Sequence, residues 1–328
     1  MVSKLALTVA ISFILSILTG YLILPVLKRL KVEQRLNRYL EEAHSFKKNT
    51  PTMGGLIFII PTLITIILML IFNKISINYS LLIILITFIG YFIIGFIDDY
   101  LIIKRNNNIG LSASKKFFLQ LIISVIFFYL FMLSKQEPLL WIHTINLRID
   151  ISWLYGLFIL FILTASSNAV NLTDGLDGLA SGLSVIAIST FGIICVHTGW
   201  LDGYQSLAYF CFAQVGSILG FMLFNLHPAK VFMGDTGSLS LGATLASVAI
   251  LTKHEITFIV IMGVFIFETL VCIIQTFSMI FFRRKVFLMT PFHHHLEKLG
   301  WEERDIVKFF WVIGLILSMG AIIFSVWI

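Results

Sequence analysis

Long apolar runs separated by short polar segments dominate the chain. Ten of them reach or approach the ~20 residues that a helix needs to cross a bilayer. They lie at 5–26, 54–72, 81–97, 117–133, 151–170, 179–197, 207–225, 239–251, 256–282 and 306–327. The eighth is short and the ninth long. Between the fourth and fifth runs, partial alternation over 141–147 predicts a small surface hairpin. The pattern predicts an all-α polytopic membrane protein with ten transmembrane helices, forming a single domain over residues 1–328.

Composition agrees with this reading. Of 328 residues, 59% are hydrophobic and 12% charged, which excludes a soluble globular protein. The first run follows Lys4 and continues to about Val26 without a small-residue cleavage site, so it reads as a retained span. Cys195, Cys211 and Cys272 all fall inside apolar runs and imply neither disulfides nor zinc. The net charge of +6 is explained by its distribution and calls for no nucleic acid. Ten spans divide the connections into two sets. Eighteen Lys and Arg fall in or beside 27–53, 98–116, 171–178, 226–238 and 283–305, and the other side holds five: Lys4, Lys74, Lys135, Arg148 and Lys253. Basic residues collect in the cytoplasm, so the first set is predicted to be cytoplasmic and both termini extracytoplasmic.

The cytoplasmic segments carry the candidate chemistry, and 171–178 is central among them. It reads Asn-Leu-Thr-Asp-Gly-Leu-Asp-Gly. Carboxylates at a membrane boundary are costly to desolvate, so Asp174 and Asp177 are expected to bind something. Their spacing predicts that they share a face of the first turn of the following helix. Two acids, a helix N-terminus and the close approach that Gly175 and Gly178 allow suit a divalent cation carrying phosphates.

The other four segments add to this set. Lys47 and Lys48 precede Thr50-Pro51-Thr52-Met53-Gly54-Gly55 and are candidate anion contacts. Asp98 and Asp99 are adjacent like charges that need a cation or proton between them, and Lys104 and Lys116 follow. The 225–238 stretch holds Asn225, Phe232 for stacking on a planar base, Gly234, Asp235 as an oxygen ligand, and Ser238 as a cap or phosphate contact. His293, His294 and His295 are adjacent, and their side chains diverge, which favours phosphate and sugar recognition over a three-histidine metal site. Glu268, inside the ninth run, is expected to be a buried, partnered structural group.

Together these strings resemble the phospho-N-acetylmuramoyl-pentapeptide-transferases, within the wider superfamily of polyprenyl-phosphate N-acetylhexosamine-1-phosphate transferases. The strings that carry the resemblance are Thr50–Gly55, Asp98-Asp99-Tyr100 with Lys104, Asn168–Gly178, Val231–Ser238 and Pro291–Glu297. They occur in order and cover nearly the whole chain. Asn49 departs from the pattern, where Gly would be expected. The resemblance implies Mg2+, a homodimer among the membrane lipids of the bacterial inner membrane, and an active site facing the cytoplasm. It implies transfer of phospho-MurNAc-pentapeptide from UDP-MurNAc-pentapeptide to undecaprenyl phosphate, releasing UMP. On that basis Asp98, Asp99, Asp235 and His293 are the expected catalytic residues. Asp235, Asp98, Asp99, Asp174 and Asp177 are the expected Mg2+ set. Lys47, Lys48, Lys104, Lys116, His293, His294 and His295 would hold phosphate and sugar, and Asn171, Asp174, Asp177, Asn225, Phe232, Gly234 and Ser238 would frame the nucleotide. A sister activity on UDP-GlcNAc and a secondary transporter are the competing readings; against the transporter, the acids cluster in the cytoplasmic segments and no inverted repeat of the kind such folds show is visible in the sequence.

Overall fold

The computed structural model describes residues 2–29, 50–105, 109–142, 145–198 and 203–327, so Lys47 and Lys48 lie outside the described residues. The chain is predominantly helical: α1 Val2–Arg29, α2 Leu56–Ile71, α3 Tyr79–Arg105, α4 Ala113–Leu133, α5 Leu154–Thr173, α6 Leu179–His197, α7 Tyr204–Asn225, α8 Gly234–Leu251, α9 Glu255–Ile261, α10 Gly263–Phe281, α11 Phe292–Lys298 and α12 Glu303–Ile322. Among the described residues, eight helices (α1, α3, α4, α5, α6, α7, α10 and α12) are long and apolar enough to cross a membrane, and α2 is a shorter apolar helix. A helical polytopic membrane protein is therefore observed. The expected hairpin is also present, with β1 Leu139–Ile142 antiparallel to β2 Leu147–Asp150 and Trp141 opposite Arg148.

The bundle is organised around α8. Every residue of α8 from Thr236 to Leu251 is buried. The helix packs on α3 and α5, while α7 packs on α1 and α6, and α12 on α6. Its sequence explains the position: Gly, Ser, Thr and Ala recur along it, and small residues let helix backbones approach inside a membrane. Ser166 on α5 donates to the Gly242 carbonyl at 2.6 Å, and Ser240 donates to the Phe88 carbonyl on α3 at 3.0 Å. A Cβ at Gly95 would overlap the Asp235 carbonyl, so the α3–α8 crossing depends on glycine there.

Several expected boundaries shift. The eighth run, expected at 239–251, is a helix from Gly234, so Gly-Asp-Thr-Gly-Ser forms its first turn instead of a turn before it. The ninth run is two helices, α9 and α10, meeting at Met262, and not one continuous span. The fifth extends to Thr173, which places Asn171 in the last turn of α5. Asp174 is the residue that ends α5, and α6 begins only at Leu179. The two carboxylates of 171–178 therefore do not share a helical face. The turn between them ends at Gly178, whose φ of 82° suits glycine, and it directs them to different neighbours.

Candidate active site

Four helices bring their ends together at one pole of the bundle. Asp98 and Asp99 stand in the final turns of α3, Lys116 in the first turn of α4, Asn171 and Asp174 at the end of α5, and Asp235 in the first turn of α8. Lys116 bridges two of them, with Nζ 2.8 Å from Asp235 Oδ2 and 3.2 Å from Asp98 Oδ1. Asn171 Nδ2 donates to Asp235 Oδ1 at 2.6 Å and to Ser238 Oγ at 2.9 Å. Asp98 also accepts from the Leu111 amide at 2.8 Å, because the short connection to α4 folds across it.

Adjacent Asp98 and Asp99 divide their work as neighbouring positions on a helix must, about 100° apart. Asp98 faces Lys116. Asp99 turns to the N-terminus of α8, accepting from the Thr236 amide at 2.9 Å, the Thr236 hydroxyl at 2.6 Å and the Asp235 amide at 3.3 Å. A carboxylate at that position satisfies orphan amides and complements the positive end of the helix. Asp99 is thus a capping residue whose two oxygens are already engaged.

Asp174, just beyond α5, faces the Gly234 amide at the start of α8. Burial, followed by the nearby charges of Asp235 and Asp99, pushes its carboxyl up to about 7. Four carboxylates converge here, and among the described residues Lys116 is the cation in ion-pair contact with them. That imbalance, together with hard oxygen donors on three different helices, fits a small divalent cation. Among the described residues, however, the group whose ligand atoms all lie within 4.8 Å of one another is Asp177, His227 and Glu303.

Asp177 belongs to a second group. Its Oδ2 accepts from the Ala229 amide at 3.0 Å and lies 3.2 Å from His227 Nδ1. Its own amide donates to Glu303 Oε1 at 2.7 Å, and His227 Nδ1 is 3.3 Å from Glu303 Oε2. This junction ties the 174–178 turn to the segment before α8 and to the start of α12. His227 and Glu303 were not expected from sequence.

The remaining candidates fall into supporting positions. The Thr50–Gly55 string bridges the residues before α8: Phe232 donates to the Pro51 carbonyl at 2.8 Å, Gly54 to the Phe232 carbonyl at 2.8 Å, and Gly55 to the Met233 carbonyl at 3.0 Å. Its Thr, Pro and Gly residues shape a backbone brace. Gly234 has φ 71°, and a Cβ there would meet Asp99 Oδ2 and Thr52 Oγ1 at 2.5 Å. Asn225 is buried and internally paired, accepting from Ser181 at 2.8 Å and donating to the Val231 carbonyl at 3.1 Å. Ser238 donates to the Gly234 carbonyl at 2.9 Å. Phe232 is half-buried beside the site. Lys104 is exposed, its ammonium 6.0 Å from the centroid of the Tyr100 ring.

The three histidines diverge as expected. His293 is fully buried, with Nδ1 3.3 Å from Glu268, and its Nε2 abuts Gly175 of the central turn without a hydrogen-bond partner. His294 pairs with Glu297 at 2.6 Å, and His295 accepts from the Leu288 amide at 3.1 Å. Glu268 is buried and accepts from the Phe292 and His293 amides at 2.5 and 3.2 Å, so it caps α11. This is the structural role its position suggested.

Comparison with known proteins places the chain in a family. A model described as glycosyl transferase family 4 covers residues 81–253, and phospho-N-acetylmuramoyl-pentapeptide-transferase signature 1 covers residues 47–59. The chain is 43% identical over 325 residues to the phospho-N-acetylmuramoyl-pentapeptide-transferase of Geobacillus thermodenitrificans (strain NG80-2), spanning 99% of this chain and 98% of that protein. The protein of the same description from Bacillus subtilis (strain 168) is 41% identical over 322 residues, spanning 98% of each chain.

Proposed function

The chain belongs to the phospho-N-acetylmuramoyl-pentapeptide-transferase family, and from that premise we propose how its polar pole carries out the reaction. The enzyme transfers phospho-MurNAc-pentapeptide from UDP-MurNAc-pentapeptide to undecaprenyl phosphate in peptidoglycan synthesis. It yields the undecaprenyl-pyrophosphoryl product and UMP. An oxygen of the lipid phosphate attacks the sugar-bearing phosphorus, and the bond from that phosphorus to the UMP oxygen breaks.

Phosphoryl transfer depends mainly on positioning and charge neutralisation. One observation carries the assignment: Asp98, Asp174, Asp235 and Lys116 converge from four helices at one pole. Asp235, with Asp174 and Asp98, would hold Mg2+, which when bound offsets charge on the diphosphate. Asp98, fixed by the Leu111 amide, orients the lipid phosphate and accepts its proton. Lys116 exchanges a carboxylate partner for a phosphate oxygen as substrate enters. Asn171 holds Asp235, and Asp99 fixes the α8 N-terminus on which Asp235 stands. Asp177 and Phe232 frame the uridine, and His293 meets substrate through the glycine-sided turn at Gly175. His294, His295, Lys104 and the Lys47–Lys48 pair make outer contacts to sugar and phosphate.

The pole that holds these residues also carries Lys28, Arg29, Lys104 and Arg105 at helix ends, which supports a cytoplasmic active site reached sideways by the lipid. Ten membrane segments in one domain, both termini outside and a homodimer in the bacterial inner membrane complete the proposal. The test is UMP release by purified protein with undecaprenyl phosphate and each sugar nucleotide, with and without Mg2+. Release that needs both substrates and the metal, with UDP-MurNAc-pentapeptide as donor, is expected. Release with UDP-GlcNAc alone would move the chain to the sister activity, and no release from folded protein would overturn the mechanism.

A further inference from the structure

At the pole opposite the carboxylates, a cavity of about 1030 Å³ opens among the 76–80 segment, the end of α4, the hairpin, Gly203 and the α8–α9 corner. Lys135, Arg148 and Lys253 line it, together with Glu137 and Trp141. This side of the chain has only five basic residues by the charge division described above, and three of them meet here. The bias against cations on this side makes their convergence notable. Glu137 on the lining and Glu255 behind Lys253 offset two of the three, which leaves an excess of one positive charge. Glu255 lies behind Lys253, bonded to the Tyr155 hydroxyl.

The cations are held by the fold. Lys135 and Lys253 follow the ends of α4 and α8 with φ of 58° and 59°, left-handed positions where Gly or Asn is the cheaper choice. Lys253 is buried; its ammonium donates to the Glu137 carbonyl at 2.6 Å and lies 4.5 Å from the Phe131 ring centroid. Arg148 stacks at 4.1 Å on Trp141, leaving the edges of its guanidinium for bidentate oxygen recognition. The volume exceeds that of a single small anion, and the lining comes from helix ends where the apolar spans stop, the level of lipid headgroups.

We propose that this outer cavity binds a phosphate anion, carried on a lipid headgroup or free in solution, between Lys135, Arg148 and Lys253. The site is separate from the transfer reaction. The experiment uses the full chain in nanodiscs of equal phosphatidylglycerol and phosphatidylcholine, with retained lipid counted by native mass spectrometry after mild delipidation. A parallel calorimetric titration in detergent uses inorganic phosphate. The variants are Lys135→Ala with Arg148→Ala, and the control Lys4→Ala with Lys74→Ala, which removes two other cations of the same side. UMP release reports that each variant is folded, and it should be unchanged because both pairs are distant from the carboxylates. Retention of phosphatidylglycerol is expected to fall about tenfold or more in the cavity variant and not in the control. Binding of inorganic phosphate that the cavity variant loses, without any lipid preference, would identify the free anion as the ligand. Equal lipid retention in both variants, with no phosphate binding, would overturn the proposal. Single Lys135→Gln and Arg148→Gln variants repeat the comparison if the double variant is inactive.

Discussion

Exchanging Asp99 and Asp235 separately for asparagine should have opposite consequences, although both carboxylates belong to one cluster. Asp99 accepts three hydrogen bonds at the α8 N-terminus, from the amides of Asp235 and Thr236 and from the Thr236 hydroxyl. Asparagine keeps one acceptor but turns an NH2 donor toward at least one of these donors, and it removes the negative charge. A hydrogen bond to a charged group contributes about 1.5–3 kcal/mol. The interaction with the helix end adds about 0.3–1 kcal/mol. Asp99→Asn is therefore expected to destabilise the fold by about 2–4 kcal/mol, lowering the apparent Tm by roughly 3–6 °C for a chain of this size. Asp235 is repelled by Asp98, Asp99 and Asp174. Asp235→Asn relieves that repulsion and keeps an acceptor for Lys116 or Asn171, so its Tm should equal or exceed that of the wild type while UMP release falls to background. Thermal unfolding in detergent followed by UMP release on the same samples measures both. If Asp99→Asn melts with the wild type and Asp235→Asn melts lower, the division into a cap and a metal carboxylate is wrong.

Three further outcomes follow from the same geometry. Asp174 has its carboxyl raised to about 7, so metal-free protein should lose stability as pH climbs from about 4 through 7, because the unfolded chain releases this proton earlier. Over the same interval Mg2+ should bind more tightly as pH rises, and both trends should flatten in Asp174→Asn, as followed by melting curves at stepped pH and metal. Glu303→Gln loosens the Asp177 amide and His227; it should raise KM for the sugar nucleotide about 3–10-fold with kcat largely kept, and a kcat effect alone would contradict the junction. Gly95→Ala forces α3 against the Asp235 carbonyl, and a displacement near 1 Å should cut UMP release about a hundredfold. Gly320→Ala, with nothing within 4 Å, should behave as wild type.

Hydropathy made eight membrane-length helices and the hairpin legible, because lipid demands long apolar helices and a period-two stretch pairs readily. Glu268 was legible for a related reason: an acid inside an apolar run must find donors, and it found the α11 amides. Asp174 and Asp177 were misread as a pair on one helix, since spacing of three means a shared face only if a helix continues through both, and α5 ends at the first. The bracing role of the Thr50–Gly55 string was not legible, because nothing local reveals that its backbone pairs with Phe232 and Met233, far away in the chain. His227 and Glu303 escaped notice for the same reason. Their meaning lies in a contact between three distant segments, and single residues at helix ends carry no mark of it. The division at Met262 was hidden because apolar residues continue on both sides of the break.

The burial of α8 on all sides bears on how the protein is made. A segment so rich in Gly, Ser and Thr gains less from lipid than its leucine-rich neighbours do, so its residence in the bilayer depends on helices that are already there. During synthesis α3 and α5 emerge first, and they supply the surface that α8 occupies. Asp235 travels on the leading turn of that late arrival. A half-built chain thus holds Asp98, Asp99 and Asp174 without their fourth partner, and the chemistry appears only once the bundle has closed around its least lipid-loving member.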